Sequence, residues 1–118
     1  MVNILTIQNT KNKLTLGEKI FLANNPVTRL TGLMGKKSFG KLDGLLIEPC
    51  NSIHMFFMRF PIDVIFIAKD NKIVHTIENL KAWRISPIVF KAYSTLELPI
   101  GTIQNTDSKI GDVLEILK

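Results

Sequence analysis

The sequence predicts a mostly β fold of the β-rich α+β class: a compact antiparallel barrel- or sandwich-like domain of about seven or eight strands, with one short helix near residues 26–34. Three observations carry this. Short apolar runs are punctuated by Gly, Pro, Asn and Asp, as strands joined by turns require. Only one segment combines helical spacing with capping residues. The hairpin of Ile62–Ala68 and Ile73–Glu78 carries apolar residues on both faces, so it needs cover on both sides, which a barrel or a two-layer sandwich provides.

The first strands are expected at Val2–Ile7 and Lys19–Ala23, with Lys11-Asn12-Lys13 turning between them. The helix follows. Asn25 is its cap, Pro26 suits its first position, and Val27, Leu30, Leu33 and Met34 fall at helical spacing before Gly35, which suits a left-handed end. Leu45-Leu46-Ile47 is a short strand closed by Glu48-Pro49. Ser52–Met58 is nearly continuous apolar sequence and predicts a strand, broken by Pro61 before the strand Ile62–Ala68. Lys69-Asp70-Asn71-Lys72 makes a hairpin turn, because Asp and Asn tolerate positive φ, and Ile73–Glu78 returns antiparallel. Leu80–Phe90 is irregular, Ser94–Leu98 is a strand, Thr102–Lys109 is loop or one helical turn, and Val113–Leu117 is the last strand.

With 118 residues, 46% of them apolar, the chain is expected to form one domain over residues 1–118, burying roughly two thirds of its unfolded surface without staples. The lone Cys50 excludes an internal disulfide. The N-terminus has no basic lead or apolar segment of signal length, and no apolar stretch reaches the roughly 20 residues of a membrane span, so a soluble, cytoplasmic protein is expected. The net charge of +5 favours anionic partners, but Lys36, Lys37 and Lys41, and Lys11, Lys13 and Lys19, do not interleave with aromatics, which argues against nucleic acid.

The most unusual run is Cys50–Asp63. As a strand it would set Cys50, Ser52, His54, Phe56 and Met58 on one face. Thiol, imidazole and thioether suit a soft metal, but on an extended chain Cys50 and His54 stand about 13 Å apart, so no metal or other cofactor is expected. His54 is a candidate general base or activator of Cys50, against the plainer role of a hydrogen-bonded core histidine; Cys50 itself is either a nucleophile or a buried inert thiol. Asp63, between Ile62 and Val64, is expected to accept backbone N–H groups of a nearby turn rather than to catalyse. Glu97, between Leu96 and Leu98, needs a partner if buried, and Arg29, Arg59 and Arg84 are the available arginines. Phosphate loops, dinucleotide turns, nucleophile elbows and His-Glu-x-x-His pairs are absent.

Three blocks, Arg29-Leu30-Thr31-Gly32-Leu33-Met34-Gly35, then Cys50–Ile67 with Phe57-Met58-Arg59-Phe60-Pro61-Ile62-Asp63, then Leu96-Glu97-Leu98-Pro99-Ile100-Gly101-Thr102 with Gly111-Asp112, resemble in order and spacing the bacterial and archaeal family called domain of unknown function 192. The resemblance covers the chain from about residue 20 onward and implies a barrel-like β domain with a short helix at the Gly-Leu-Met block. It brings no activity. Its motif positions here are Arg29, Gly32, Met34, His54, Met58, Pro61, Asp63, Glu97, Gly101 and Asp112.

The function expected is a small non-catalytic binding module with a pocket or groove for a small, anionic ligand or a peptide, built from Arg29, Cys50, His54, Met58, Asp63 and Glu97. The alternatives are a hydrolase-like enzyme using His54 with Asp63 or Glu97, and a purely structural or interaction role. Ligand identity and oligomeric state leave no trace in the sequence.

Overall fold

The structure, a computed structural model, describes residues 3–117; the expected strand start at Val2 and the side chain of Leu30 lie outside what it describes. Apolar residues at alternate positions of β1 (Ile4–Asn9) bury Leu5 and Ile7, and β1 pairs antiparallel with β2 (Thr15–Ala23) across the Lys11–Lys13 turn. β2 starts at Thr15 rather than Lys19 because its register shifts within the pair, and the Asp43 carboxylate accepts the Glu18 and Lys19 amides at the irregular point, both at 3.0 Å.

α1 (Pro26–Thr31) is capped by the Asn25 side chain, which accepts the Thr28 amide at 2.9 Å. It ends at Gly32 (φ 41°) rather than at Gly35, because a turn there delivers Leu33 into the core. Gly35 (φ 77°) takes its left-handed conformation in that turn, outside the helix. β3 (Gly44–Ile47), β4 (Ile62–Ile67), β5 (Ile73–Leu80), β6 (Ser94–Leu98), the single turn α2 (Thr102–Asn105) and β7 (Leu114–Leu117) follow.

One curled sheet holds all seven strands in the order β5-β4-β6-β3-β2-β1-β7, antiparallel except between β2 and β3. Its two edges approach at one end. There Lys72 bridges Val113, the Leu114 N–H donates to the Asn71 carbonyl (2.9 Å) and the Ile73 N–H to that of Asp112 (2.8 Å), which curls the sheet into a half-barrel. β3, β4 and β6 are buried at every position, since an inner cluster (Leu46, Ile65, Leu96, Leu98) and an outer one (Leu45, Ile47, Val64, Phe66) pack on their opposite faces. Among the described residues no helix is long and apolar enough to cross a membrane.

The expected strand Ser52–Met58 does not join the sheet. Among the described residues no long helix covers the outer face of β3, β4 and β6, and this apolar segment lies across that face as its cover. Ile53, Met55 and Met58 are buried there, while His54 and Phe56 point outward, so the expected shared face of Cys50, Ser52, His54, Phe56 and Met58 does not form. Phe57 (φ 64°) interrupts the extended chain and brings Met58 inward. The backbone partners come from the irregular Lys81–Phe90 segment: the Met55 N–H donates to the Arg84 carbonyl (2.6 Å), Trp83 N–H to Met55 (2.7 Å), Ser86 N–H to Ile53 (2.8 Å) and Val89 N–H to Asn51 (2.8 Å). These two segments are the cover loops.

Candidate functional site

Alternation along β6 sends Leu96 and Leu98 into the inner cluster and leaves Thr95 and Glu97 facing outward beneath α1 and the first cover loop. Glu97 is fixed by its neighbours, opposite Leu45 of β3 and Val64 of β4. Gly44 lets β3 come this close, because a Cβ there would lie 2.7 Å from the Glu97 carbonyl oxygen. Thr95 is satisfied, its hydroxyl donating to the Cys50 carbonyl at 3.0 Å. Glu97 is not. Its carboxyl has no hydrogen-bond or ion-pair partner among the described residues, and burial pushes its pKa up to about 7.

The carboxyl faces a cavity of about 90 Å³. Its wall is apolar, from Leu33, Ile47, Ile53 and Met58, all buried. Its rim carries Arg29, Thr31 and His54, which are exposed, with Met34, Cys50 and Ser52 half-buried between them. A shallower groove of about 330 Å³ shares Arg29, Cys50 and Ser52 with it. The Cys50 thiol donates to the Ser52 carbonyl at 3.1 Å, and His54 Nδ1 accepts the Phe56 amide at 3.3 Å while its ring lies against Phe56. Thiol and imidazole therefore share the cavity without a hydrogen bond to each other. No three His, Cys, Asp or Glu side chains among the described residues are grouped to hold a metal ion.

Of the residues singled out from sequence, Arg29, Cys50, His54, Met58 and Glu97 line this cavity and Asp63 does not. Asp63 is buried, and its carboxylate accepts the Asn79 amide (3.0 Å), at an irregularity of β5, and the Ile103 amide (3.0 Å), at the start of α2. It acts on backbone N–H groups, as expected, but those of a strand irregularity and a helix rather than of the Arg59–Ile62 turn. Both of its oxygens are engaged there, so a His54–Asp63 pair is not formed. Glu97 likewise meets none of Arg29, Arg59 or Arg84 in an ion pair among the described residues. Thr31, Ser52 and the wall residues Leu33, Ile47 and Ile53 were not picked out as site residues, although Thr31 and Ser52 lie inside the first two motif blocks. All three blocks meet at the cavity, which is the signal that would have found them.

A model of the family described as Uncharacterized ACR matches residues 6–116. A UPF0127 protein of Thermococcus kodakarensis is 31% identical over 93% of this chain and 71% of its own length. One from Pyrococcus horikoshii is 32% identical over 92% of this chain and 96% of its own. Among solved structures, a protein from Sinorhizobium meliloti provisionally described as a transcription regulator superposes with TM-score 0.81 at 25% identity, covering 98% of this chain and 93% of that one. A protein of unknown function from Novosphingobium aromaticivorans gives TM-score 0.80 at 21% identity, covering 97% and 84%, and shares the fold.

Proposed function

Because the chain belongs to the uncharacterised family known as domain of unknown function 192, an affiliation that brings no activity with it, we propose its role from the cavity: a small non-catalytic binding module that takes a small ligand, or the end of a peptide, through Glu97. One observation carries this. Glu97 is only 6% exposed as a residue, yet its carboxyl opens onto a cavity and is held by no donor among the described residues. No fully buried side-chain oxygen among the described residues lacks a partner, so the unpaired carboxyl keeps access to the cavity, where a guest can hydrogen-bond it.

With a pKa of about 7, Glu97 both donates and accepts at neutral pH, so it suits an amino or hydroxyl group. Arg29 and His54 at the rim suit an anionic group at the ligand's other end. A cavity of about 90 Å³ limits the enclosed part to a few heavy atoms. The ligand class is therefore small amino and hydroxy acids, or a peptide terminus lying on into the neighbouring groove. We place the protein in the cytoplasm, which its single unpaired Cys50 supports.

The test is a thermal-shift panel of small amino acids, hydroxy acids and amines. A true ligand at a hundred times its Kd stabilises the fold by about 2.7 kcal/mol, and Glu97→Gln removes that gain. No rise with any member, or an equal rise in both proteins, overturns the proposal. A hydrolase-like enzyme is the second reading, favoured because the near-neutral acid Glu97 shares its cavity with Cys50 and His54. In that case Glu97→Gln abolishes turnover while leaving binding nearly intact, the reverse of the pattern expected for a binding module.

A further inference from the structure

The cover loops have a second face, turned to solvent, that the cavity does not use. It carries Phe56, Phe57, Trp83, Ile85, Ile88 and Phe90, with Ile85 66% and Phe90 85% exposed. The patch is continuous. The Phe56 and Phe57 rings stand 6.1 and 5.0 Å from Trp83, His54 bridges Ile85, and the backbone bonds from Ser86 to Ile53 and from Val89 to Asn51 run the second loop alongside the first. Exposed apolar surface of this kind marks a docking site when it is contiguous and rimmed by polar groups.

The charge around it names the partner. In the segments Pro49–Pro61 and Lys81–Tyr93 the only formally charged side chains are Arg59, Lys81, Arg84 and Lys91, all exposed, and neither segment contains an acid. A second copy docking through the same face would bring like charges together. A single-stranded nucleic acid would need a row of open ring faces for stacking, whereas Phe56, Phe57 and Trp83 lie against one another and only Phe90, set beside the aliphatic Ile85 and Ile88, stands open. Bulky apolar and aromatic tips set among cations, without acids, match the interface of an anionic lipid bilayer. We infer that the cover loops dock the protein reversibly on anionic lipid surfaces, with Trp83 and Phe57 entering the headgroup region and Arg59, Lys81, Arg84 and Lys91 resting on the lipid charge. This surface is independent of the ligand proposed for the cavity.

Trp83 is the chain's only tryptophan and reports directly on the event. The intact protein is mixed with vesicles of phosphatidylcholine alone or with added phosphatidylglycerol, and emission and co-sedimentation are followed. Expected are a shift of Trp83 emission to shorter wavelength and co-sedimentation with the anionic vesicles only, both weakened by salt. Arg84→Gln lowers the affinity about fivefold, the effect of one interfacial cation. The double variant Phe57→Ser with Phe90→Ser, both surface positions and checked for folding by circular dichroism, lowers it at least tenfold. Absence of any emission shift, equal binding to neutral vesicles, or undiminished binding by the folded double variant overturns the inference. So does a Trp83 response to a single-stranded oligonucleotide, or self-association through this face, without a response to vesicles.

Discussion

Glu97 and Asp63 are buried acids on neighbouring strands, and they differ in what reaches them. Asp63 holds two backbone amides, whereas Glu97 holds none. Burial raises the Glu97 pKa from 4.5 to about 7, so the folded chain keeps a proton that the unfolded chain gives up. Its contribution to stability is fully present below pH 4.5, is lost as pH rises to about 7, and amounts to about 3 kcal/mol. Asp112 has the opposite sign. Burial works to raise its pKa, but hydrogen bonds from the Asn9 side chain, the Lys109 amide and Lys11, with the Lys11 charge, hold it lowered, so its contribution is lost only in acid. Glu97→Gln should therefore be more stable than the wild type at pH 8, by up to about 3 kcal/mol, and should flatten the decline between pH 5 and 8. Urea titrations at several pH values check this. Parallel profiles for the two proteins would mean that Glu97 has a partner or open access to solvent.

At the scale of elements, β3, β4, β5 and β6 were legible because apolar runs and turn residues are local signals. The first cover loop was not, because Met55-Phe56-Phe57-Met58 reads the same whether it adds a strand or lies across a sheet; the choice is made by pairing with Lys81–Phe90, which has no periodicity of its own. Asp63 and Glu97 show the same limit for the site. Each is one acid between two apolar residues, and only the distant Asn79 and Ile103 amides separate a structural carboxylate from an unsatisfied one. The irregular second loop should nonetheless matter to stability. The buried Ser86 hydroxyl accepts the Ile53 amide at 2.9 Å and donates to the Pro87 carbonyl at 3.0 Å. Ser86→Ala strands the Ile53 N–H under the cover and should cost about 1–3 kcal/mol by urea denaturation. A loss below about 0.5 kcal/mol, the ordinary effect of a surface substitution, would show that the two loops are not locked together there.

Across the whole molecule, β3, β4 and β6 form a shared wall between the inner and outer clusters, so the layers are not separate units. The cover loops bury Ile53, Met55 and Met58 against that wall. Burying such a side chain contributes about 1.5–3 kcal/mol, so together they supply a large share of the roughly 5–15 kcal/mol typical of a domain. A sheet stripped of its cover would expose Val64, Phe66, Leu45 and Ile47 and keep little stability of its own. Trp83 sits on the cover while far-UV circular dichroism follows the sheet, so the two probes monitor different layers of one structure. Their urea midpoints should coincide, because opening the cover and melting the sheet are one cooperative event. A Trp83 transition clearly ahead of the dichroism transition would instead make the cover a separately opening flap over Glu97, and ligand entry would then proceed by that opening rather than through the rim at Arg29 and His54.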